Sequence, residues 1–340
     1  NFSVSLMGNK IGPALLAGNT MVIKPAGTTP LTATKCVELI HRAGLPKGVI
    51  NIITGPGSVV GEEILQNPKI KKVGFTGETG TGKHVMEVAA KEVKRVTLEL
   101  GGSDPMIVCD DADLDRAVSA ASVGRFFNCG QACLAIKRLY LFDKIADSFM
   151  ERLMEKVNKL RIGNGLKRET LIGPLHTKGQ REEVEEMVED AVKRGAKVLV
   201  GGTRPKGEEF NNGFFLLPTL LKDVDPDSRI VMEECFGPAL PILRVKDLGE
   251  ALTHANRSIF GLGSSVWTRD IDKALYAAEK IEAGYTWVNS AQIIYDELPF
   301  GGVKQSGLGK EHGNEAIDYY TETKSIVIAT EKHSEIIGGE

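Results

Sequence analysis

Five cysteines stand at positions 36, 109, 129, 133 and 235. Cys133 is the one whose setting could do chemistry. It closes the run Phe126-Phe127-Asn128-Cys129-Gly130-Gln131-Ala132-Cys133, which leaves a helix pattern and passes through a glycine, so the chain can turn sharply and present a side chain. A thiolate there would attack a carbonyl carbon and form a covalent intermediate. Taken alone, a cysteine in such a place more often packs as a small hydrophobe. Cys129, four residues earlier, is an alternative redox partner. No second Cys or His pair stands at ligand spacing, so a metal site is not expected.

Four further stretches could take part. Glu99, in Glu99-Leu100-Gly101-Gly102, ends an apolar strand pattern, where open α/β sheets place their ligands. A carboxylate buried there would gain basicity and could serve as a general base; a salt-bridged structural glutamate fits equally. The loop Phe75-Thr76-Gly77-Glu78-Thr79-Gly80-Thr81-Gly82-Lys83-His84 joins a strand to a helix whose free N–H groups could hold a phosphate. It nearly spells a P-loop, but His84 replaces the Ser or Thr that would bind magnesium. A dinucleotide loop, a nucleotidase loop and a plain turn all remain open. Lys24, before Pro25, could grip ribose or phosphate oxygens or be a solvated surface lysine. Glu234, before Cys235-Phe236-Gly237-Pro238, could accept hydrogen bonds from a ribose or belong to a charged surface pair with Glu233.

Strands and helices must alternate to place these residues. Met21-Val22-Ile23 reads as a strand, and Thr29-Pro30 as the N-cap and first position of a helix that Gly44-Leu45-Pro46 stops. Strands follow at Val49 to Ile53, Lys72 to Phe75 and Val96 to Leu100, with helices opening at Gly57-Ser58 and running from Thr79 to Ala90. Beyond the break at Gly101-Gly102 come a strand at Pro105 to Val108 and a helix from Asp113 to Phe127. Long charged helices follow near 143–160 and 178–194, then a strand at Lys197 to Val200. Ser325 to Ala329 reads as a last strand. Such alternation implies parallel pairing and a doubly wound α/β sheet, here in two domains divided near residue 101.

The 340 residues are 42% hydrophobic and 26% charged with a net charge of −3, a globular balance with no basic field for nucleic acid. No apolar run is long enough to span a bilayer and no secretory signal opens the chain, so no membrane partner is expected. An odd, scattered cysteine count speaks for a reducing cytoplasm. The chain opens on Asn1-Phe2-Ser3 and enters ordered-looking sequence at once, which suggests a piece of a longer polypeptide.

Each signal is weak alone, but their joint order is specific. Asn1-Phe2, Lys24-Pro25-Ala26, Phe75-Thr76-Gly77, Glu99-Leu100-Gly101-Gly102, Gly130-Gln131-Ala132-Cys133, Glu234-Cys235-Phe236-Gly237-Pro238 and Pro299-Phe300-Gly301-Gly302, with 34 residues from Glu99 to Cys133, resemble the aldehyde dehydrogenase superfamily. The resemblance implies two doubly wound α/β domains and a short C-terminal oligomerisation strand. Residues 1–101 would be the C-terminal part of a dinucleotide-binding domain, 102–320 a catalytic domain, and 321–340 the strand and tail. It implies that Cys133 attacks a small aldehyde, that Asn1 and the Cys133 N–H hold the oxyanion, and that Glu99 activates the water that hydrolyses the thioester. Lys24, Pro25, Gly57, Gly61, Phe75, Thr76, Gly77, Glu78, Leu100, Gly101, Glu234 and Phe236 would hold the cofactor, and Glu311 would match an acid near the proton exit. A homodimer or homotetramer is implied as well.

Three departures carry consequences. The family's N-terminal part does not precede Asn1, which would leave the oxyanion donor unanchored in a chain that began there, and an inactive family fragment is a rival reading. Gly27 stands where NAD-preferring members carry a Glu that would repel a 2′-phosphate, so NADP is expected ahead of NAD. Glu78 replaces a small polar residue beside the phosphate loop. A CoA-acylating semialdehyde dehydrogenase is a further rival, disfavoured because that branch typically lacks the general base and Glu99 is present.

Overall fold

Two glycines, Gly101 and Gly102, separate a set of short sheets from one large sheet in the computed structural model, which describes residues 1–328. Before them, α1 (Ser3–Leu16) leads into β1 (Met21–Ile23), α2 (Pro30–Arg42) and β2 (Ile50–Ile52), and β1 and β2 pair in parallel. A single π turn at Gly57–Gly61 precedes α3 (Glu62–Gln66), β3 (Lys72–Thr76), α4 (Thr79–Ala90) and β4 (Arg95–Glu99). Strands β3 and β4 are parallel, with Thr76 opposite Glu99. Thr29 precedes α2 as expected, but its hydroxyl does not cap the helix: it meets the Ser3 hydroxyl at 3.3 Å.

After the glycines come β5 (Asp104–Val108), α5 (Leu114–Phe126), β6 (Ile136–Phe142), α6 (Asp143–Asn158), α7 (Lys178–Lys193), β7 (Lys197–Val200), β8 (Thr219–Lys222), α8 (Arg229–Met232) and β9 (Ala239–Val245). The chain continues through α9 (Leu248–Asn256), β10 (Phe260–Gly261), β11 (Gly263–Trp267), α10 (Ile271–Lys280), β12 (Tyr285–Val288), β13 (Val303–Lys304) and β14 (Gly307–Leu308). Seven strands form the large sheet in the order β12-β11-β5-β6-β9-β8-β7, all parallel except the edge strand β7. The alternation of strands and helices in the sequence is what produces this parallel pairing.

Helices cover both faces, so every residue of β5, β6 and β11 is buried. Helix α6 turns Ile145, Phe149, Met150, Leu153 and Val157 toward the sheet, one stripe at helical spacing. Four helices begin on side-chain caps: Asp113 accepts from Arg116 N, Thr177 from Gln180 N, Asp247 from Glu250 N and Asp270 from Lys273 N. The two parts are laced together by β14, which pairs antiparallel with β4 and sets Gly307 opposite Glu99.

The strand expected at Ser325 to Ala329 is not observed. Ser325 to Ile328 have no ladder partner among the described residues, and Val327 and Ile328 are 92% and 84% exposed. A strand is defined by its ladder, and periodicity alone cannot supply one. Ala329 lies outside the described residues. No helix among the described residues is long and apolar enough to cross a membrane.

Candidate active site

Helix α5 ends in a turn that aims the loop carrying Cys133. Asn128 (φ 51°), Cys129 (φ 58°) and Gly130 (φ 73°) are left-handed in succession. A Cβ on Gly130 would overlap the Gly237 carbonyl, so only glycine fits. Asn128 and Gln131 bond each other's main chain, and Gln131 Oε1 accepts from His176 N at 2.8 Å. This turn sends Cys129 into the main core, where burial pushes its thiol up to about 12. Cys133 goes elsewhere, against the cluster of Leu262, Tyr285, Trp287 and Phe300. Cys129 is therefore a core residue and not a redox partner poised at the site.

Cys133 is half-buried and lines a cleft of about 1700 Å³. Burial pushes its thiol up to about 12. The Lys137 ammonium opposes that shift, and Glu234, Asp104 and Glu99 add to it. Behind the sulfur, Lys137 Nζ donates to Ala132 O (2.9 Å), Cys133 O (2.7 Å) and Glu234 Oε1 (3.0 Å). The same Glu234 oxygen accepts from Gly102 N at 3.0 Å. Glu234 is thus not half of an exposed pair with Glu233. It reaches over Gly101, where any Cβ would overlap its second oxygen, and a Cβ on Gly102 would come within 2.6 Å of Cys133 O. Phe236 flanks this group on the cleft wall, its ring centroid 5.9 Å from Lys137 Nζ.

Glu99 belongs to a second cluster. It ends β4, its carbonyl accepts from Gly77 N at 3.0 Å, and its side chain lies against Gly301. Burial raises its pKa well above the ordinary glutamate range, and the Glu311 carboxylate raises it further against the pull of Lys10 and Lys310. Lys10 Nζ bonds Thr76 Oγ1 (2.7 Å) and Glu311 Oε1 (2.6 Å), and Asn9 Nδ2 holds the other Glu311 oxygen at 2.9 Å. No hydrogen bond joins Glu99 directly to Cys133; Leu100 and Gly101 connect the two clusters along the chain.

The cleft runs from these clusters past Phe75, Thr76, Gly77 and Glu78 to Lys24 and Pro25 at the end of β1. The Phe75 ring lies where a Cβ on Gly77 would sit, and α4 opens two residues on. Lys24 Nζ donates to Pro25 O at 3.0 Å, and its stem passes Gly61 of the π turn, with Gly57 exposed at the start of that turn. His84, the residue that breaks the P-loop pattern, pairs with Glu62 at 2.6 Å. Asn1 is exposed at the cleft's rim, its Oδ1 accepting from Phe2 N at 3.0 Å, and Phe2 stacks on Phe127 of the nucleophile turn at 5.8 Å.

The sequence profile of the aldehyde dehydrogenase family matches residues 1–326. The chain belongs to the aldehyde dehydrogenase family. It is 44% identical to glutarate-semialdehyde dehydrogenase of Pseudomonas putida over 97% of its own length and 67% of that protein. It is 43% identical to the NADP(+)-dependent succinate-semialdehyde dehydrogenase GabD of Escherichia coli over 96% of its length and 67% of that protein. A crystal structure of an E. coli NADP-dependent enzyme superposes with a TM-score of 0.92 at 42% identity, covering 94% of this chain and 66% of that one. Betaine aldehyde dehydrogenase of Staphylococcus aureus in complex with NAD+ gives 0.90 at 40% identity, over 92% and 62% of the two chains. The chain therefore spans about two thirds of the length of these relatives.

Sequence reading missed Lys10, Asp104, Arg125 and Lys137. Lys137 had a signal: with Arg138 it puts two charges inside the otherwise apolar Ile136 to Phe142 strand. Lys10 had none, because its partner Glu311 lies 301 residues away.

The left-handed Gly130 generates the first prediction. Gly130→Ala should cost about 1–3 kcal/mol through backbone strain and the clash with Gly237. A urea unfolding midpoint and a Cys133 alkylation rate both equal to wild type would show that the turn tolerates a side chain.

Proposed function

We propose that the protein oxidises a small aldehyde to its carboxylic acid with NADP, or NAD, through a thioester on Cys133. The observation that carries this reading is one cleft lined by the half-buried Cys133, by Glu234, which Lys137 and Gly102 hold from behind, by the α4 entrance and by Lys24. Its length and mixed lining fit an extended dinucleotide. Lys24 and Pro25, with the turn from Gly57 to Gly61 behind them, would take the adenosine ribose. Phe75, Thr76, Gly77 and Glu78 at the head of α4 would take the pyrophosphate. Leu100, Gly101, Glu234 and Phe236 would hold the nicotinamide end. When bound, the cofactor supplies the hydride acceptor that turns the thiohemiacetal on Cys133 into a thioester.

The chain's own residues do the rest. Cys133 attacks as a thiolate, while its N–H and the Asn1 side-chain amide donate to the oxyanion. Glu99, whose raised pKa makes it a stronger base once ionised, takes a proton from the water that hydrolyses the thioester. Glu311, bonded to Lys10, would relay that proton outward. Leu262, Tyr285, Trp287 and Phe300 form a buried apolar cluster behind Cys133, and a short aliphatic, hydroxy- or semialdehyde is the proposed substrate. The semialdehyde activities named for two relatives support the last of these.

Residues 1–101 and 102–320 are read as cofactor and catalytic domains, and 321–340 as the oligomerising segment of a dimer or tetramer. Five unpaired cysteines favour a cytoplasmic setting.

Cys133→Ser should lower aldehyde-dependent dinucleotide reduction by about three orders of magnitude or more while dinucleotide binding persists. Normal turnover in that variant would refute the assignment. Glu99→Gln should give a burst of reduced cofactor near one per site and then turn over slowly in stopped-flow; loss of the burst itself would move Glu99 out of the hydrolytic step. Gly27 is exposed, and a Cβ there meets nothing within 4 Å. Gly27→Glu should therefore fold normally and weaken NADP relative to NAD by about tenfold. An unchanged ratio of dissociation constants, read by calorimetry, would place the 2′-phosphate elsewhere.

A further inference from the structure

A lysine with no side-chain exposure lies directly behind the nucleophile. An ammonium has three N–H donors, and Lys137 Nζ finds three acceptors: Ala132 O, Cys133 O and Glu234 Oε1, at 2.9, 2.7 and 3.0 Å. The match of donors to acceptors fixes the group as charged, since a neutral amine would leave one acceptor unserved. Its position is also forced. Strand β6 is buried along its whole length, so a charge at its second residue has no route to water and must be satisfied within the protein.

We propose that Lys137 is a positioning residue for the reaction, its ammonium clamping the main chain of the nucleophile to Glu234 and serving as the fixed positive charge behind the Cys133 sulfur. This rests on the reading of Cys133 as nucleophile. The charged groups that face the pair come from four segments: Glu99 at the end of β4, Asp104 in β5, Glu234 in the loop before β9, and Lys137 itself. Three are acids, and each opposes a thiolate. Lys137 is the cation that acts on Cys133 itself, while Arg138, next to it in β6, joins it in lowering Asp104, and buried Arg125 faces Glu234 from α5. Asp104, raised by burial to about 7 and itself pulled down by Lys137, ionises as the pH climbs and then adds to the opposition against the thiolate. Lys137 therefore has two linked effects. It favours the anion on Cys133, and it holds Glu234 over Gly101, where the carboxylate faces the cleft.

The test follows the rate at which Cys133 reacts with iodoacetamide as a function of pH, by mass spectrometry of the Cys133 peptide, so that Cys36 and the buried cysteines are read separately. It needs neither aldehyde nor cofactor. If Cys133→Ser proved fully active as a dehydrogenase, the functional reading would fall and this measurement would still stand. Lys137→Met should slow alkylation at pH 8 by about tenfold or more, with the profile displaced to higher pH. Glu234→Gln leaves the clamp's acceptor in place but removes its charge, and should speed alkylation by a similar factor with the profile displaced to lower pH. A residue that merely filled space would move both rates in the same direction or neither. Equal profiles for wild type and a folded Lys137→Met would overturn the proposal. Should Lys137→Met fail to fold, Glu234→Gln decides alone: an unchanged or slower thiol there overturns it.

Discussion

One oxygen of Glu234 accepts two hydrogen bonds, from the Gly102 N–H and the Lys137 ammonium, and the active cleft is organised around that point. The three partners belong to the link between β4 and β5, the start of β6, and the loop that leads into β9. The half-buried carboxylate is shared with the cleft, but the fully buried Lys137 ammonium would carry a large desolvation cost if it lost this acceptor. The three segments are therefore fixed relative to one another more tightly than apolar packing would fix them. Arg125 reinforces the arrangement from below: its guanidinium, fully buried, donates to the carbonyls of Cys235 and Gly237 and to Ile136 O at 3.3 Å. The end of α5, the loop around Glu234 and the start of β6 are thus joined twice, by two buried cations from neighbouring elements.

That constraint explains the paired glycines. With Glu234 reaching across Gly101 and the Cys133 carbonyl pressed on Gly102, neither position has room for a side chain. Gly130 meets the same limit from the other side, against Gly237. Backbones that approach this closely let one short stretch, Glu99 to Gly102, serve both clusters: its first residue faces Glu311 and Lys10, and its last donates to Glu234.

Much of this was legible in the sequence because it is local. The helices from Thr79 to Ala90 and after Asp113, and the strands around 72–76 and 95–99, follow from periodicity, caps and flanking glycines. Cys133, Glu99 and Glu234 emerged from motif order. What sequence could not supply is pairing across distance. Lys10 meets Glu311 across 301 residues and Lys137 meets Glu234 across 97; two charges in an apolar strand mark Lys137 as unusual, but nothing nearby in the chain names either partner. Ser325 to Ile328 form no ladder among the described residues for the same reason: an apolar run states what a strand could bury, and pairing needs a partner strand. Thr29 shows that even a local signal yields when tertiary structure offers its hydroxyl another partner.

The charges in the cleft show a common design. Burial drives Cys133 and Glu99 toward their neutral forms, and neighbouring carboxylates push both further. Yet each has a cation that opposes the shift, Lys137 for the thiol and Lys10 with Lys310 for the acid, and the acid itself acts on the thiol. A group held neutral by desolvation but set beside a cation responds strongly to small changes in its surroundings, because in low dielectric each added or removed charge counts for more than in water. Desolvation also keeps the resting thiol from indiscriminate reaction, since the thiolate is the reactive form. Cys133 and Glu99 answer to different cations, yet the Glu99 carboxylate also raises the thiol, so ionising either one opposes ionising the other. In the proposed mechanism the sulfur is already neutral in the thioester when Glu99 is needed as a base, which removes that opposition at the second step.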